Sequence, residues 1–523
     1  MPLSDDIIVY LQGTTNYRES ESSAFFRRPL DNRNVRSIYP NGFLPLISPT
    51  IFDYNATVGV KGETNFNLNW DLSHTVGGNH IDYTLNNSLN TSLGIKSPTT
   101  FDAGGLGVRQ HVTNLDLFKS VDLGLDSPIK IATGFEWRYE MFEINAGEED
   151  SYRDGGVPVL DGPNTGQTTM AGVQGFPGFS QENATQKDRH NFATYIDLNT
   201  QFYDSISVGL AGRYEYYSDF GSTLNGKFSL GYQVVDSILL RGSVSTGFRA
   251  PSLQQSFFNS TSSLIDGGEI NSVATIALGS PLANALDARL LKPETSKNFT
   301  MGFIYKPTEN FSVSVDYFYT QIIDRIILSD NISIVNAPEI TPALEPYGLW
   351  AARGFINAID TETQGVDLRA NYELDFKNKG HLKLSARYHY NKNRVDGPIQ
   401  SRIILDAAGN NLSFSEKERE RLEFGQPNES LILMAHYKSR GFDGVIKLIK
   451  AGAFSEEAQR LKSQWLADID LSYQVHSNFN VAVGVHNLLD SQPSRNALNG
   501  QLLTSSPYGY NGGFYYFRLT ADF

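Results

Sequence analysis

The sequence predicts an all-β protein, a large antiparallel β-barrel that crosses a membrane, and three observations carry that expectation. Apolar and polar residues alternate in long runs. No apolar stretch approaches the ~18 consecutive residues of a membrane helix. Short polar turns alternate along the chain with long connections. Successive side chains of a strand point to opposite faces, so each run would show one apolar and one polar face. Such a wall suits lipid on one side and water on the other.

The alternation opens near the start, with Ile7-Ile8-Val9-Tyr10. It recurs at Phe192, Thr194, Ile196, Leu198; at Ile206, Val208, Leu210, Gly212, Tyr214; and at Ile238, Leu240, Gly242, Val244. Phe311, Val313, Val315, Tyr317 and Val481, Val483, Val485 repeat it. From Val366 to Phe376 the apolar set is interleaved without a break by Asp367, Arg369, Asn371, Glu373 and Asp375. That run exceeds the ~5–6 residues of a soluble strand and matches the ~9–11 that cross a bilayer at a tilt. The chain closes on Tyr515, Phe517, Leu519, Ala521 and Phe523 on one face, with Tyr516, Arg518, Thr520 and Asp522 on the other. About nineteen spans are expected; since bacterial barrels have even strand numbers, an odd count means a miscounted span or strands missing.

The connections sort by length. Short turns fall at Tyr203-Asp204-Ser205, Val235-Asp236-Ser237, Lys306 to Asn310, Lys377 to Gly380, Lys438 to Gly441 and Val475 to Asn478. Long ones cover roughly 145–190, 250–295, 326–354, 394–427 and 488–512. Short periplasmic turns and long extracellular loops are the pattern of an up-and-down membrane barrel. No Pro- or Ser-rich linker divides the chain, so one domain over 1–523 is expected. The Glu416 to Glu423 run reads as a charged helical turn in a solvated loop.

Composition is consistent with this and excludes other classes. Only 40% of residues are hydrophobic and the mean hydropathy is -0.30, an average like that of a soluble protein. A barrel keeps such an average because only alternate residues meet lipid. The 26 Tyr and 32 Phe against 5 Met, with 46 Gly, favour strands and glycine-rich loops. Cysteine is absent, which removes disulfides and thiol chemistry. The net charge of -14 argues against a nucleic-acid partner. Pro2-Leu3-Ser4-Asp5-Asp6 lacks the basic start and apolar core of a secretory signal. Either the chain is a mature or truncated form, or the barrel expectation fails.

At Gly247-Phe248-Arg249-Ala250-Pro251-Ser252-Leu253-Gln254-Gln255 the sequence resembles the TonB-dependent outer-membrane receptors. Leu291-Lys292-Pro293-Glu294-Thr295, Thr363-Gln364-Gly365-Val366-Asp367-Leu368, Asn487-Leu488-Leu489-Asp490 and the aromatic end at Phe523 follow in that family's order. The resemblance covers roughly 190–523; Leu489 and Gly513 depart from it where Phe and Arg are usual. It implies a barrel of about 22 strands around a plugged lumen, of which this chain would hold about 19–20. The family's TonB-contacting segment and plug are not recognisable ahead of Ile7, so an N-terminally truncated barrel domain is expected.

The resemblance also implies a function without covalent chemistry: TonB-coupled uptake of a scarce nutrient, such as a ferric siderophore, a cobalamin-like compound or an oligosaccharide. The implied partners are outer-membrane lipid, the barrel assembly machinery at the C-terminal strand, the TonB–ExbB–ExbD complex acting through a plug, and the small-molecule ligand. The implied location is the outer membrane of a Gram-negative bacterium. A passive porin-like channel is the alternative; an outer-membrane enzyme fits less well, since none of the nine His lies in a Gly-x-Ser-x-Gly or His-Glu-x-x-His setting. No cofactor is expected.

Candidate ligand contacts are Tyr152, Arg153, Phe176 and Phe179 in the 145–190 loop, and Arg249 at a strand end. The three aromatics would stack on a ligand or fold the loop onto itself. Arg249 would face the lumen as an anchor, or contact the plug or a neighbouring carboxylate. Arg213, Glu215, Arg241, Asp367, Arg369 and Glu373 are assigned inward, because a charge on the lipid face costs ~2–4 kcal/mol at mid-membrane. Glu148, Glu149, Asp150, Asp154 and Asp161 could offer oxygens to Ca²⁺, but their spacing fits no EF-hand loop and no metal is expected.

Overall fold

The computed structural model describes residues 2–4, 7–266, 269–286, 288–396, 414–456, 459–495 and 509–521. The alternating runs pair there into one antiparallel sheet. Its long strands are β1 (Ile7–Glu19), β2 (Leu46–Glu63), β3 (Leu68–Asn86), β4 (Phe101–Val121), β5 (Ile129–Asn145) and β6 (Thr185–Phe202). They continue as β7 (Ile206–Tyr217), β8 (Gly221–Val235), β9 (Ile238–Arg249), β10 (Glu294–Thr308), β11 (Phe311–Leu328) and β12 (Phe355–Asp375). The last are β13 (His381–Asp396), β14 (Glu429–Ser439), β15 (Phe442–Ala451), β16 (Gln464–His476), β17 (Phe479–His486) and β18 (Phe514–Ala521).

Each strand is laddered to the next in sequence, the pattern of an up-and-down barrel wall. Pro2–Ser4 lies against β1, and Ser22–Ser23 extends the β1 ladder along β2. Counting Ser22–Ser23 with β1 leaves 19 positions among the 20 segments of the sheet, in line with the expected span count. Phe523 and Asp522 lie outside the described residues.

Register sets the two faces. On β7 and β8, Leu210 opposes Phe228 and Tyr214 opposes Leu224, all on the outer face. Leu224 is 76% exposed and Met301 of β10 59%. Tyr515, Phe517 and Leu519 of β18 share that face, while Tyr516 and Arg518 turn inward to Asp470. So wide a band of exposed apolar side chains requires lipid around it.

Most short connections sit at one end and the long ones at the other. Tyr203 and Asp204 (φ 50° and 52°), like Arg440 and Gly441 (φ 41° and 86°), have the paired positive φ of hairpin turns that match strand twist. The exception is 218–220, a short link between β7 and β8 at the loop end. Two further loops at that end, 20–45 and 87–100, were not expected from the sequence. Glu416–Phe424 forms a helix capped by Ser415, whose hydroxyl accepts from the Glu418 N–H.

Glycines inside the strands have a specific use. Tyr10, Tyr54, Tyr195, Phe318 and Tyr516 each lie across a glycine directly opposite on the neighbouring strand: Gly59, Gly78, Gly134, Gly365 and Gly484. With no Cβ beneath it, the ring fills the missing side-chain volume, as in aromatic rescue of glycine. Some side chains then reach the strand beyond. The Tyr195 hydroxyl donates to Asp116 of β4 at 2.6 Å across Gly134 of β5. Tyr516 reaches Asp470 of β16 across Gly484 of β17. Arg241 of β9 grips Asp316 of β11 at 2.9 and 2.6 Å across Gly302 of β10.

Candidate functional site

The Gly247 to Gln255 motif turns from the wall into the lumen. Arg249 ends β9 and meets Glu294, directly opposite on β10, through Nε at 2.9 Å and Nη2 at 3.0 Å. Glu294 also accepts the Ile326 N–H at 2.7 Å, so this carboxylate ties three strands together. Arg249 is thus paired with a neighbouring carboxylate, with its side chain still largely exposed. Past it, the Pro251 carbonyl accepts from Arg189 Nη1 at 2.6 Å. Ser252 and Gln255 cap the short helix Leu253–Phe257 reciprocally, a capping box. Leu253 is buried against Phe142, Ile144 and Phe179. Between this turn and the wall lies a pocket of about 420 Å³ whose polar lining includes Asn55, Asn79, Gln110, Glu140 and Arg189.

Beneath the turn the inner wall carries a woven set of charges. Arg189 pairs with Glu140 at 2.5 Å and Asp219 at 3.4 Å, and lies over the Tyr217 ring at 5.2 Å. Arg213 joins Glu215 at 2.7 Å to Glu136 at 3.3 Å, and Arg138 also pairs with Glu136 at 2.7 Å. Buried charges persist only when paired and hydrogen-bonded. Arg189 with Glu140 and Arg213 with Glu215 and Glu136 meet both conditions, whereas Arg138 Nε and Glu136 Oε1 have no hydrogen-bond partner among the described residues. Of the charges assigned inward from sequence, Arg213, Glu215 and Arg241 are partnered as described. Asp367 is held by His389 at 2.7 Å and Glu373 by Lys383 at 2.9 Å. Arg369 is the exception.

Above the wall the loops fold into two heads. In the first, loops 20–45, 87–100 and 146–184 pack through Val35, Phe43 and Leu89, and through Leu85, Phe101 and Val173. Arg27 is buried there, donating to Gln174 at 3.0 Å and to the Phe25 carbonyl at 2.8 Å; burial lowers its pKa from the ordinary value. Burial pushes the nearby Asp31 carboxyl up, but the bidentate grip of Arg33 outweighs it and holds the group below the usual carboxylate range. Phe176 packs edge-on against Tyr83 at 5.3 Å and Phe179 is buried, so these two aromatics fold the loop onto the strand ends. Arg153 is held by Asp150 at 2.6 Å and Tyr152 is half-buried beside it.

The loop acids disperse. Glu148 accepts the Asp102 N–H at 3.3 Å, Asp154 the Gly156 N–H at 2.9 Å, and Asp161 meets Arg36 at 3.6 Å. Among the described residues no three His, Cys, Asp or Glu are grouped to hold a metal ion.

The second head joins loops 250–293 and 329–354. Glu269–Thr275 pairs with Ser260–Asp266 and, in parallel, with Ala351–Arg353, which also pairs with Ile332–Ser333. Ala274, Leu282, Ala283, Ala337, Leu344 and Ala352 form its core. No sequence signal pointed to this small sheet, since the pairing of Val273–Thr275 with Ala351–Arg353 joins residues far apart in the chain.

The remaining motif positions are structural joints. Gly365 admits the Phe318 ring. Asn487 donates its N–H to Asp468 at 2.9 Å, and its amide brackets Ser491 at 2.8 and 3.0 Å. Asp490 accepts the Gly513 N–H at 3.0 Å, clasping the base of the last loop.

This geometry agrees with the relatives found for the chain. Residues 4–488 match the family described as TonB dependent receptor-like, beta-barrel. The probable TonB-dependent siderophore receptor PirA of Acinetobacter baumannii is 23% identical over 350 residues, 63% of this chain and 42% of that protein. The chain therefore spans less than half the length of this curated relative. The crystal structure of PirA from Acinetobacter baumannii superposes with a TM-score of 0.61 at 15% identity, covering 100% of this chain and 69% of that one. That of the ferric enterobactin receptor PfeA from Pseudomonas aeruginosa, in a mutant form, gives 0.61 at 15%, covering 100% and 68%. The sheet, the motif joints and the family match agree: the chain is an outer-membrane protein and belongs to the TonB-dependent receptor-like β-barrel family.

Proposed function

We propose that the chain forms the barrel of an outer-membrane receptor for TonB-coupled uptake of a ferric siderophore. The observation that carries this reading is the pair of folded loop heads over a polar, charge-lined lumen, in a chain whose similar proteins include siderophore receptors. The loop heads capture the complex from outside and the wall guides it inward. Coupling to the TonB–ExbB–ExbD complex runs through a plug carried by the parent polypeptide, a reading supported by the greater length of the relatives. The outer face meets lipid, and β18 is the strand offered to the assembly machinery. Tyr152, Arg153 and Arg249 remain the proposed ligand contacts on the loop side. This is a binding and gating task without bond-making, in keeping with a family of receptors.

The test is uptake of radioactive iron, supplied as different siderophore complexes, by cells expressing the parent gene or lacking it, each with and without TonB. Uptake of one complex that needs both is the expected result. Equal uptake without TonB would point instead to a passive channel.

A further inference from the structure

Among the described charges of the lumen wall, two arginines oppose each other directly. Arg369 on β12 stands directly opposite Arg387 on β13. Both share the inward face with Asp367 and His389, the bonded pair two residues nearer the loop end. Both are exposed, and neither has an ion pair or hydrogen-bonded side-chain partner among the described residues. Their other cross-strand neighbours are Ser314 on β11 and Ile432 on β14, which bring no charge. The nearby acids are engaged elsewhere, Asp367 with His389 and Asp316 with Arg241.

Like charges directly opposite one another destabilise a sheet. Register gives no escape, because a one-residue slip of either strand would turn its arginine, with the rest of its polar set, into lipid. Opposed Cβ atoms lie ~4.5–5.5 Å apart, so both guanidinium forks start from one spot on the inner wall and are within reach of a single small ligand. Each fork presents parallel N–H donors, the geometry that matches a carboxylate or phosphate.

We propose that Arg369 and Arg387 form an oxyanion-binding site on the lumen wall, in the half nearer the short turns, which takes a carboxylate. That carboxylate comes either from a small anionic solute in transit or from an acidic side chain of a polypeptide segment seated in the lumen. The site stands independently of which nutrient the receptor carries.

The test uses the purified chain in detergent at low ionic strength, titrated calorimetrically with citrate and, in a second arm, with a triglutamate peptide. Saturable citrate binding is expected, weakened about tenfold or more by Arg369→Gln and by Arg387→Gln. Arg518→Gln, in an arginine already engaged by Asp470, should leave it unchanged. Arg387→Lys keeps the charge but loses the fork, and should bind more weakly than the native chain while melting at the same temperature. Binding of citrate alone assigns the site to small solutes; binding of both ligands assigns it to polypeptide carboxylates as well. Citrate should also raise the melting temperature of the native chain and not that of the double glutamine variant. Equal citrate binding by the native chain and the double variant, or none by either, would overturn the proposal.

Discussion

Two stretches of the same lumen wall handle charge in opposite ways. From β5 to β7, Arg138, Arg189 and Arg213 are woven among Glu136, Glu140 and Glu215, so the charges neutralise one another and anchor the inward turn at Pro251. On β12 and β13, Arg369 and Arg387 face each other with no acid between them. Both stretches are inward arginines on alternating strands, and nothing in the alternation separates them. The difference lies in what the next strand offers at the same level. A paired arginine is part of the wall, whereas an unpaired one is offered to whatever enters the lumen.

The largest effect should come from breaking the woven stretch. Arg189→Ala would strip Glu140, Asp219 and the Pro251 carbonyl of their donor, and a loss of about 3–5 kcal/mol is expected in denaturant or thermal unfolding. A loss under 1 kcal/mol would mean that the network is not structural. Next comes the glycine on which a cross-strand reach depends. A methyl at Gly134 would lie 2.6 Å from the Tyr195 ring and 2.7 Å from the Leu115 carbonyl oxygen. Gly134→Ala should destabilise by about 1–3 kcal/mol, while Gly226→Ala, whose methyl would meet only the Ala211 carbonyl oxygen at 3.5 Å, should leave the melting curve unchanged or shift it upward.

On the unpaired stretch the sign should invert. Arg387→Glu would convert a like-charge pair into an attractive one and raise stability by about 0.2–1 kcal/mol at low salt, a gain that 1 M salt should screen away. Charge reversal at Arg213, set against Glu136 and Glu215, should lower stability instead. The smallest effect belongs to the loops. Asp31 has a folded pKa below its unfolded value near ~3.9, so its contribution is present above that value and fades as pH falls through the folded one. Proteolytic cutting within 20–45 should therefore rise only on acidification below about pH 4, and Asp31→Asn should remove that dependence.

Much of the barrel was legible in the sequence because its physics is local. Period-two alternation is written residue by residue, and the Val366 run and the Tyr515 to Ala521 set lie on the faces that alternation assigns. Turn positions followed from Asp, Asn and Gly between the runs. The loop heads were not legible, because their cores join segments such as Leu85 and Val173, or Ala274 and Ala352, that no short-range pattern connects. The oxyanion pair was half legible. Arg369 was assigned inward from its own strand, but its facing partner is set by register across the 376–380 turn, and a shift of one residue there would have brought Tyr388 opposite it.

The side chains that step over a glycine have a consequence for how such a wall comes together. Tyr195 on β6 closes on Asp116 of β4, and Tyr516 on β18 closes on Asp470 of β16, each skipping the strand between. Neither fastening can form while only two strands are in place. If strands join in order, the alignment of each pair stays correctable until the third has docked, and only then is it locked. The glycine in the middle strand is a clearance through which the fit of three strands is inspected at once, so a misaligned neighbour leaves the fastening open.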